Sequence, residues 1–195
     1  MILPVGKPYP QTSWPEFDIF FRSCQWAFDA WFFYKKLIQD NPRIDEMVDT
    51  RNENFFAIIG TILKEYSLLQ ITKLHDSATQ GANKNVTFSY ILNKRRWLAD
   101  KELNDLKKEM DSFADKIRPA RHKILVHNDL KTAQDKKVLG AFDVGEDERY
   151  FERVERFLEI CFNELAPKEI FLPFNTLLEN DCNAFISQFL RGKPQ

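Results

Sequence analysis

The sequence predicts an all-α protein, and three observations lead to this class. Apolar side chains recur at three- and four-residue steps over several long segments, which is the spacing of one face of an α-helix. The 195 residues include 18 phenylalanines but only six glycines, a balance that favours long helices with bulky seams over a loop-rich sheet protein. Only residues 138–144 (VLGAFDV) have strand character, and they are too isolated to build a sheet. We therefore expect a bundle of five to six helices in a single domain.

The first helix is expected to begin near Ser13 and to end at Asp40-Asn41-Pro42. Ser13 is predicted to be its cap, with Pro15 in the first turn. Apolar residues spaced by three and four from Phe17 to Ile38 give this helix a very broad apolar face. The residues before it are rich in proline, so we expect an extended arm over residues 1–12 and the helical domain over residues 13–192.

A second long helix is predicted from about residue 49 to residue 77. Its large apolar residues lie along one side: Phe55, Ile58, Ile59, Ile62, Tyr66, Leu69 and Leu74. Thr87 and Asp100 are predicted to cap the next two helices. Because proline lacks a backbone donor, we expect a kink or a fresh helix start at Pro119. Two further helices, over about 147–165 and 175–190, complete the bundle.

Composition and charge exclude several classes of protein. The 28 basic and 29 acidic residues give a net charge of -1, and the hydrophobic fraction of 44% is ordinary for a globular chain, so a disordered or fibrous protein is excluded. No apolar run approaches the ~18 residues of a membrane helix, and the N-terminus does not resemble a secretory signal. The three cysteines stand far apart, as in a reduced cytoplasmic protein. We expect a cytoplasmic protein without a membrane partner.

The chain carries none of the common phosphate-loop, dinucleotide, zinc-protease, nucleophile-elbow or calcium-loop motifs. We therefore expect neither a cofactor nor a metal. Histidine is scarce, since only His75, His122 and His127 are present, and two of them fall in the densest basic stretch of the sequence, residues 118–129.

Residues 118–129 combine the side chains that metal-free RNA cleavage requires. Arginine is a permanent cation whose planar fork matches a phosphate, and histidine can take and give a proton near neutral pH. A base can remove the proton of a ribose 2′-hydroxyl, the oxygen can attack the adjacent phosphorus, and a cation can stabilise the charge that develops.

The spacing alone leaves a structural interpretation open. Arg121 and His127 are six residues apart, which on a regular helix separates them by roughly 120°. They do not share a face, so a joint site needs a distorted helix end or a second copy of the chain across a two-fold axis. Alternatively, His122 is a surface residue and His127 a helix-terminal residue stabilised by the helix dipole.

The string RHKILVHND resembles the RNKxxAHND-type signature of the HEPN superfamily (higher-eukaryote and prokaryote nucleotide-binding). Arg121 matches the motif arginine, His122 the polar residue after it, and His127 the motif histidine, while Asn128 and Asp129 match the residues that commonly follow. The segments LLQITKLHDSATQ and NVTFSYILN upstream are similar to the abortive-infection AbiU-like branch. The sequence departs from the pattern at the second motif position, where asparagine or aspartate is more usual.

The resemblance implies a helical homodimer in which both motifs line one cleft and cleave RNA without a metal, in phage defence or as a toxin. In that case Arg121 would hold the scissile phosphate, His127 would act as general acid or base, and His122 would orient or assist. The residues expected to help hold the RNA are Arg118, Lys123 and Asn128. An antitoxin-like protein is a possible further partner. The alternative is an inactive HEPN-like module that binds nucleotide, RNA or a protein.

Two other features have both a functional and a structural interpretation. The pair His75-Asp76 closes the second helix, and it supplies either a supporting residue near the cleft or a helix-terminal histidine favoured by the dipole. The run Lys94-Arg95-Arg96 with Trp97 either contacts a phosphate backbone and a base or is a solvated helix end with an aromatic residue in the core. Residues 94–137 hold 13 basic and 8 acidic side chains. This local net charge of +5 is compatible with a phosphate-binding cleft, although the whole chain is nearly neutral.

Overall fold

The computed structural model describes residues 12–49, 51–121, 141–174 and 178–192, and in these ranges it confirms the all-α class. A π-helical turn, Lys35–Gln39, continues the first helix, and a 3₁₀ turn, Arg96–Ala99, precedes the fifth. The described residues form seven α-helices, one more than the upper limit of the five to six that we expected, because the segment Ile44–Met47 forms a separate helix of a single turn. The seven α-helices of this part of the chain are α1 (Pro15–Tyr34), α2 (Ile44–Met47), α3 (Glu53–Leu74), α4 (Phe88–Lys94), α5 (Lys101–Ala120), α6 (Glu146–Leu165) and α7 (Leu178–Arg191).

A small antiparallel hairpin follows α3. Its strands, β1 (Thr79–Gln80) and β2 (Asn83–Lys84), pair with Thr79 opposite Lys84. Gly81 has a φ of +61°, a conformation that a residue without Cβ adopts at little cost. The sequence pattern predicted only a break at this position. Residues 141–144, the described part of the segment with strand character, form no strand.

The aromatic face of α1 forms the centre of the core. Phe17, Phe20 and Phe28 are buried. The ring of Phe20 meets that of Phe88 edge-on at 4.9 Å between centroids, and Phe88 meets Phe157 in the same way at 5.0 Å. Such edge-to-face pairs stabilise aromatic packing beyond the area they bury. The excess of phenylalanine thus joins α1, α4 and α6, as the sequence predicted for a helix seam.

A buried cation links the end of α1 to the start of α6. The Lys35 ammonium group lies 3.1 Å from Asp40 Oδ2 and 2.7 Å from Glu148 Oε1. The indole N–H of Trp31 donates to Asp147 Oδ2 at 2.8 Å. Because a buried charge is costly without partners, these contacts fix the position of α6, which itself packs along α5.

The helix ends agree with most of the sequence predictions. Thr87 caps α4 by accepting from the Tyr90 N–H, and Asp100 caps α5 by accepting from the Leu103 N–H. The predicted cap of α1 is wrong: Trp14 occupies the N-cap position without a side-chain cap bond. Instead, the acidic residue Asp18 in the first turn accepts hydrogen bonds from the backbone N–H and the hydroxyl of Thr12.

Pro119 does not start a fresh helix, because α5 continues through it to Ala120. A proline removes one backbone donor, and here this occurs in the last turn of α5. At the C-cap position of α5, the Arg121 N–H donates to the carbonyl oxygens of Arg118 and Ile117.

Helix α3 packs on α1 through one side and exposes the other. Phe56, Gly60 and Ser67 are buried, and the Ser67 hydroxyl donates to the Ala27 carbonyl at 3.4 Å. The large apolar residues that the sequence places on one side of this helix are mostly on its outer side. By length and composition alone, α3 is also apolar enough to cross a membrane, and 28% of its most apolar 18-residue window is buried in this fold.

Candidate functional site

The end of α5 carries the first two predicted site residues, Arg118 and Arg121. This helix forms because Asp100 caps it and because an apolar stripe from Leu103 to Ile117 packs into the core. The stripe orients the helix so that Arg118 and Arg121, three residues apart, lie next to each other beside the end of α3.

The turn after α3 supplies the partner of these arginines. Helix α3 ends at Leu74, and the backbone N–H groups of His75 and Asp76 donate to the carbonyls of Thr72 and Lys73, each at 3.2 Å. This tight ending turns the Asp76 side chain towards α5. The segment LLQITKLHDSATQ, which resembles the AbiU-like branch, therefore contains the turn that contacts the predicted arginine Arg121.

Arg121 donates through Nη1 to Asp76 Oδ1, and the side chains are 20% and 26% exposed. Arg118 Nη1 lies 4.0 Å from the same carboxylate oxygen, and its Nε donates to Asp115 at 3.2 Å. Arg118 Nη2 also reaches the carbonyl oxygen of His75 at 3.5 Å. These two cations and two carboxylates, Arg118, Arg121, Asp76 and Asp115, are called the arginine cluster below.

Behind the arginine cluster, the buried side chain of His75 is hydrogen-bonded through both ring nitrogens. Nδ1 lies 2.7 Å from Asp111 Oδ1, and Nε2 lies 3.0 Å from the Tyr150 hydroxyl. Lys107 donates to the other carboxylate oxygen of Asp111. These contacts fit a neutral ring that donates from Nδ1 and accepts the Tyr150 proton at Nε2. We call His75, Asp111, Tyr150 and Lys107 the histidine network.

Burial lowers the pKa of His75, because the charged form loses its hydration, although the bond to Asp111 acts in the opposite direction. His75 does lie at the C-cap of α3, as the structural interpretation expected. Burial of the ring favours its neutral form over the dipole-stabilised cation on which that interpretation relied. The network joins the end of α3 to the middle of α5 and the first two turns of α6, and it fixes the turn that carries Asp76.

Of the six predicted site residues, the structure brings Arg118 and Arg121 together. The other four, His122, Lys123, His127 and Asn128, lie outside the described residues. Asp111 and Tyr150 were not predicted as members of this site, and Asp76 was expected only as part of the helix end His75-Asp76. Asp76, Asp111 and Tyr150 are 45, 36 and 75 residues from the partners they contact, so no local spacing could have indicated these contacts.

The arrangement supports binding of an anion more directly than binding of a metal. Among the described residues, no group of three or more histidine, cysteine or acidic side chains could hold a metal ion. A guanidinium group has five N–H donors, and Asp76 engages Arg121 through Nη1. The contact with Asp76 holds the Arg121 guanidinium group in place, and the planar fork of a guanidinium group matches the geometry of a phosphate.

The second basic candidate, the run ending at Trp97, has a structural role. Trp97 is buried, and its indole N–H donates to Glu164. Lys94 and Arg95 are exposed, and the Arg95 guanidinium lies 5.4 Å from the Trp14 ring centroid. Trp97 therefore cannot stack on a base in this fold, which confirms the structural interpretation of the aromatic residue.

The model of a protein family, HEPN_AbiU2, described as AbiU2, matches residues 16–166. The match extends from the first turn of α1 to just beyond the end of α6, so it includes the arginine cluster, the histidine network and all three histidines. No curated protein and no solved structure matches the chain significantly.

Proposed function

Because the chain belongs to the HEPN_AbiU2 family of HEPN-like abortive-infection modules, we propose that it is a metal-independent endoribonuclease that acts as a homodimer in the cytoplasm. The observation that carries the proposal is the arginine cluster. Two guanidinium groups are held at the end of α5, directly before the segment that contains His122 and His127.

In the proposed reaction, Arg121 binds the scissile phosphate, and Arg118, Lys123 and Asn128 help hold the RNA backbone. A histidine, His127, accepts the proton of the ribose 2′-hydroxyl or protonates the departing 5′-oxygen. The 2′-oxygen forms a bond to phosphorus while the bond to the 5′-oxygen breaks. The products are a 2′,3′-cyclic phosphate and a 5′-hydroxyl end, and no metal is consumed or required.

His122 has a supporting role in this proposal. It takes the motif position at which asparagine or aspartate is more usual, and it can hydrogen-bond in either protonation state. Its charge depends on pH. An antitoxin-like protein that covers the cleft is the partner that we propose for the same surface.

The test is an RNA cleavage assay with the purified full chain in EDTA. Wild type should cut RNA and leave 2′,3′-cyclic phosphate ends. Arg121→Ala and His127→Ala should each lower the rate by roughly 100-fold or more, the size expected for loss of a charge-stabilising or proton-transferring group. The matched control is Arg43→Ala, which removes an exposed arginine that pairs with its neighbour Glu46 and should leave the rate unchanged.

Two results would contradict the proposal. One is wild-type protein that leaves varied RNAs intact. The other is an Arg121→Ala/His127→Ala double variant that cuts as well as wild type. If RNA or nucleotide binds without being cut, and binding survives His127→Ala, the inactive binding module is the better description. That alternative has a specific basis, since Arg121 is already engaged by Asp76, as in a structural ion pair.

A further inference from the structure

The outer side of α3 is a continuous apolar surface. Phe55, Ile58 and Ile62 are 56%, 58% and 53% exposed, and Tyr66 is 37% exposed. Single exposed apolar residues are normal on a soluble protein, but a contiguous row marks an interaction surface. The α3 stripe, as we name it, consists of Phe55, Ile58, Ile59, Ile62, Tyr66 and Leu69.

The helix that carries the α3 stripe is held rigidly from its other side. A Cβ placed on Gly60 would lie 3.3 Å from Ile38 Cγ2, so α3 approaches the end of the α1 segment closely there. Ser67 donates to the Ala27 carbonyl, and Ile71 is 1% exposed. The stripe therefore cannot rotate into this core, because the inner side is already packed.

The spacing of the α3 stripe predicts what kind of surface it fits. Phe55, Ile59, Ile62, Tyr66 and Leu69 follow one another at steps of four, three, four and three residues. This is the repeat by which one helix packs against another helix along a seam.

The apolar surface is large enough for the centre of a stable interface. Ring contacts through the buried Phe56 connect it to the half-exposed Phe185 on α7: Phe55 meets Phe56 edge-on at 5.6 Å between centroids, Phe56 meets Phe189 edge-on at 5.5 Å, and Phe189 lies 6.0 Å from Phe185. A fully exposed side chain of this size presents on the order of 200 Å², so the exposed members together present roughly 500 Å². One side of a standard interface buries about 800 Å², of which the apolar centre is a part.

The charges on α3 favour a second copy of this chain as the partner that covers the α3 stripe. All four charged residues of α3 are exposed, and they comprise two acidic and two basic side chains: Glu53, Lys64, Glu65 and Lys73. The segment 54–62 has no charged side chain at all. An anionic membrane surface selects helices with an excess of lysine and arginine, and a strongly charged partner needs the opposite charge. A neutral heptad seam is complementary to itself, as an interface across a two-fold axis must be.

We propose that the α3 stripe is the seam along which two copies of this chain pack, with Ile62 near the middle of the contact. This goes beyond the proposed function, which needs a dimer but does not say which surface forms it. The seam stands independently of RNA cleavage, since it rests on exposure, spacing and charge alone.

The test measures the oligomeric state of the full chain by sedimentation equilibrium, without RNA. Wild type should have the mass of two chains, against 23.1 kDa for one. The Ile58→Glu/Ile62→Glu variant places four carboxylates in the seam of a dimer, and like charges at that distance repel. Its dissociation constant should rise by roughly 100-fold or more. The matched control is Ile19→Glu, at an isoleucine of α1 that is 48% exposed, which should stay dimeric.

A second variant keeps the test decisive if the double glutamate variant fails to fold. All three native cysteines are buried, so Ile62→Cys should form a disulfide-linked dimer under mild oxidation, whereas Ile19→Cys should not. Arg121→Ala should dimerise like wild type, which separates failure of the seam from failure of the catalytic proposal. A monomeric wild type, a double glutamate variant that stays dimeric, or a wild type that is monomeric and binds anionic vesicles would overturn the proposal.

Discussion

Arg121 is oriented by a carboxylate that belongs to another helix. Asp76 stands at the end of α3 and Arg121 at the end of α5, so the direction of the guanidinium group depends on how these two ends meet. That meeting is set by His75, which lies between them and is hydrogen-bonded to α5 and α6. A residue without direct access to RNA thus determines the geometry of one that we expect to bind it.

The histidine network makes the stability of the protein depend on pH. Burial lowers the pKa of His75, and Asp111, Tyr150, Lys107 and Arg118 are the titratable and charged groups that face it. In the unfolded chain the pKa of the ring is about 6.5. Because the unfolded state then binds the proton more readily, the contribution of His75 to stability is complete above that value and is lost as pH falls below it.

We therefore predict that the melting temperature falls from about pH 7.5 to pH 5, and that His75→Gln makes this fall shallower. Glutamine is chosen because its amide group can still form hydrogen bonds but has no ionisable proton in this pH range. Although burial opposes the change, bonds from His75 and Lys107 lower the pKa of Asp111, so its contribution persists throughout this range. Equal slopes for both proteins in a thermal melt series would contradict the assignment of a buried neutral His75.

For single residues, the sequence predicted contacts between side chains that are neighbours on one helix. It did not predict contacts between side chains that belong to different helices. Arg118 and Arg121 could be placed together because three-residue spacing fixes their relation. His75 could be placed at a helix end, but its neutrality could not be predicted. That property depends on Tyr150 and Asp111, whose approach is decided by the packing of α3, α5 and α6.

The positions of the helix ends control the site, and a cap at the far end of α5 provides a simple test. Asp100 accepts a hydrogen bond from the Leu103 N–H at 2.9 Å. We predict that Asp100→Ala lowers the free energy of unfolding by about 1 kcal/mol, the usual value of an N-cap. Urea denaturation measures this loss directly.

Two matched variants test the reason for that loss. Asp100→Asn keeps an acceptor at the cap and should lose much less. Asp105→Ala removes an exposed acidic residue one turn further along α5 and should change stability little. If all three variants lose the same amount, the cap does not stabilise α5.

At the scale of elements, the sequence predicted α3 correctly as a helix with one apolar side. It could not predict that the apolar side faces outwards. The inner side packs closely on α1 through small residues such as Gly60 and Ser67, and small residues carry little signal in a hydrophobic pattern. The prediction that Ser13 caps α1 was also wrong, because Trp14 occupies the cap position and the start of the helix is tied down by a contact between Thr12 and Asp18, six residues apart.

For the whole molecule, the all-α class and the aromatic core followed from composition and periodicity, and the family match agrees with them. The homodimer that we propose did not follow in the same way, because a second copy would leave only an indirect mark on one sequence. The two features that indicate a second copy are the α3 stripe and the roughly 120° that would separate Arg121 from His127 on a regular helix.

The central claim is that two copies complete one ribonuclease site, with Arg121 from one and His127 from the other. The most direct test co-expresses Arg121→Ala and His127→Ala chains with different affinity tags and purifies the mixed dimer. Each parent dimer should be inactive, whereas the mixed dimer retains one site with both groups and should recover about half of the wild-type rate of RNA cleavage in EDTA. A mixed dimer as inactive as its parents, beside an active wild type, would show that each site is built within one chain and would contradict the account.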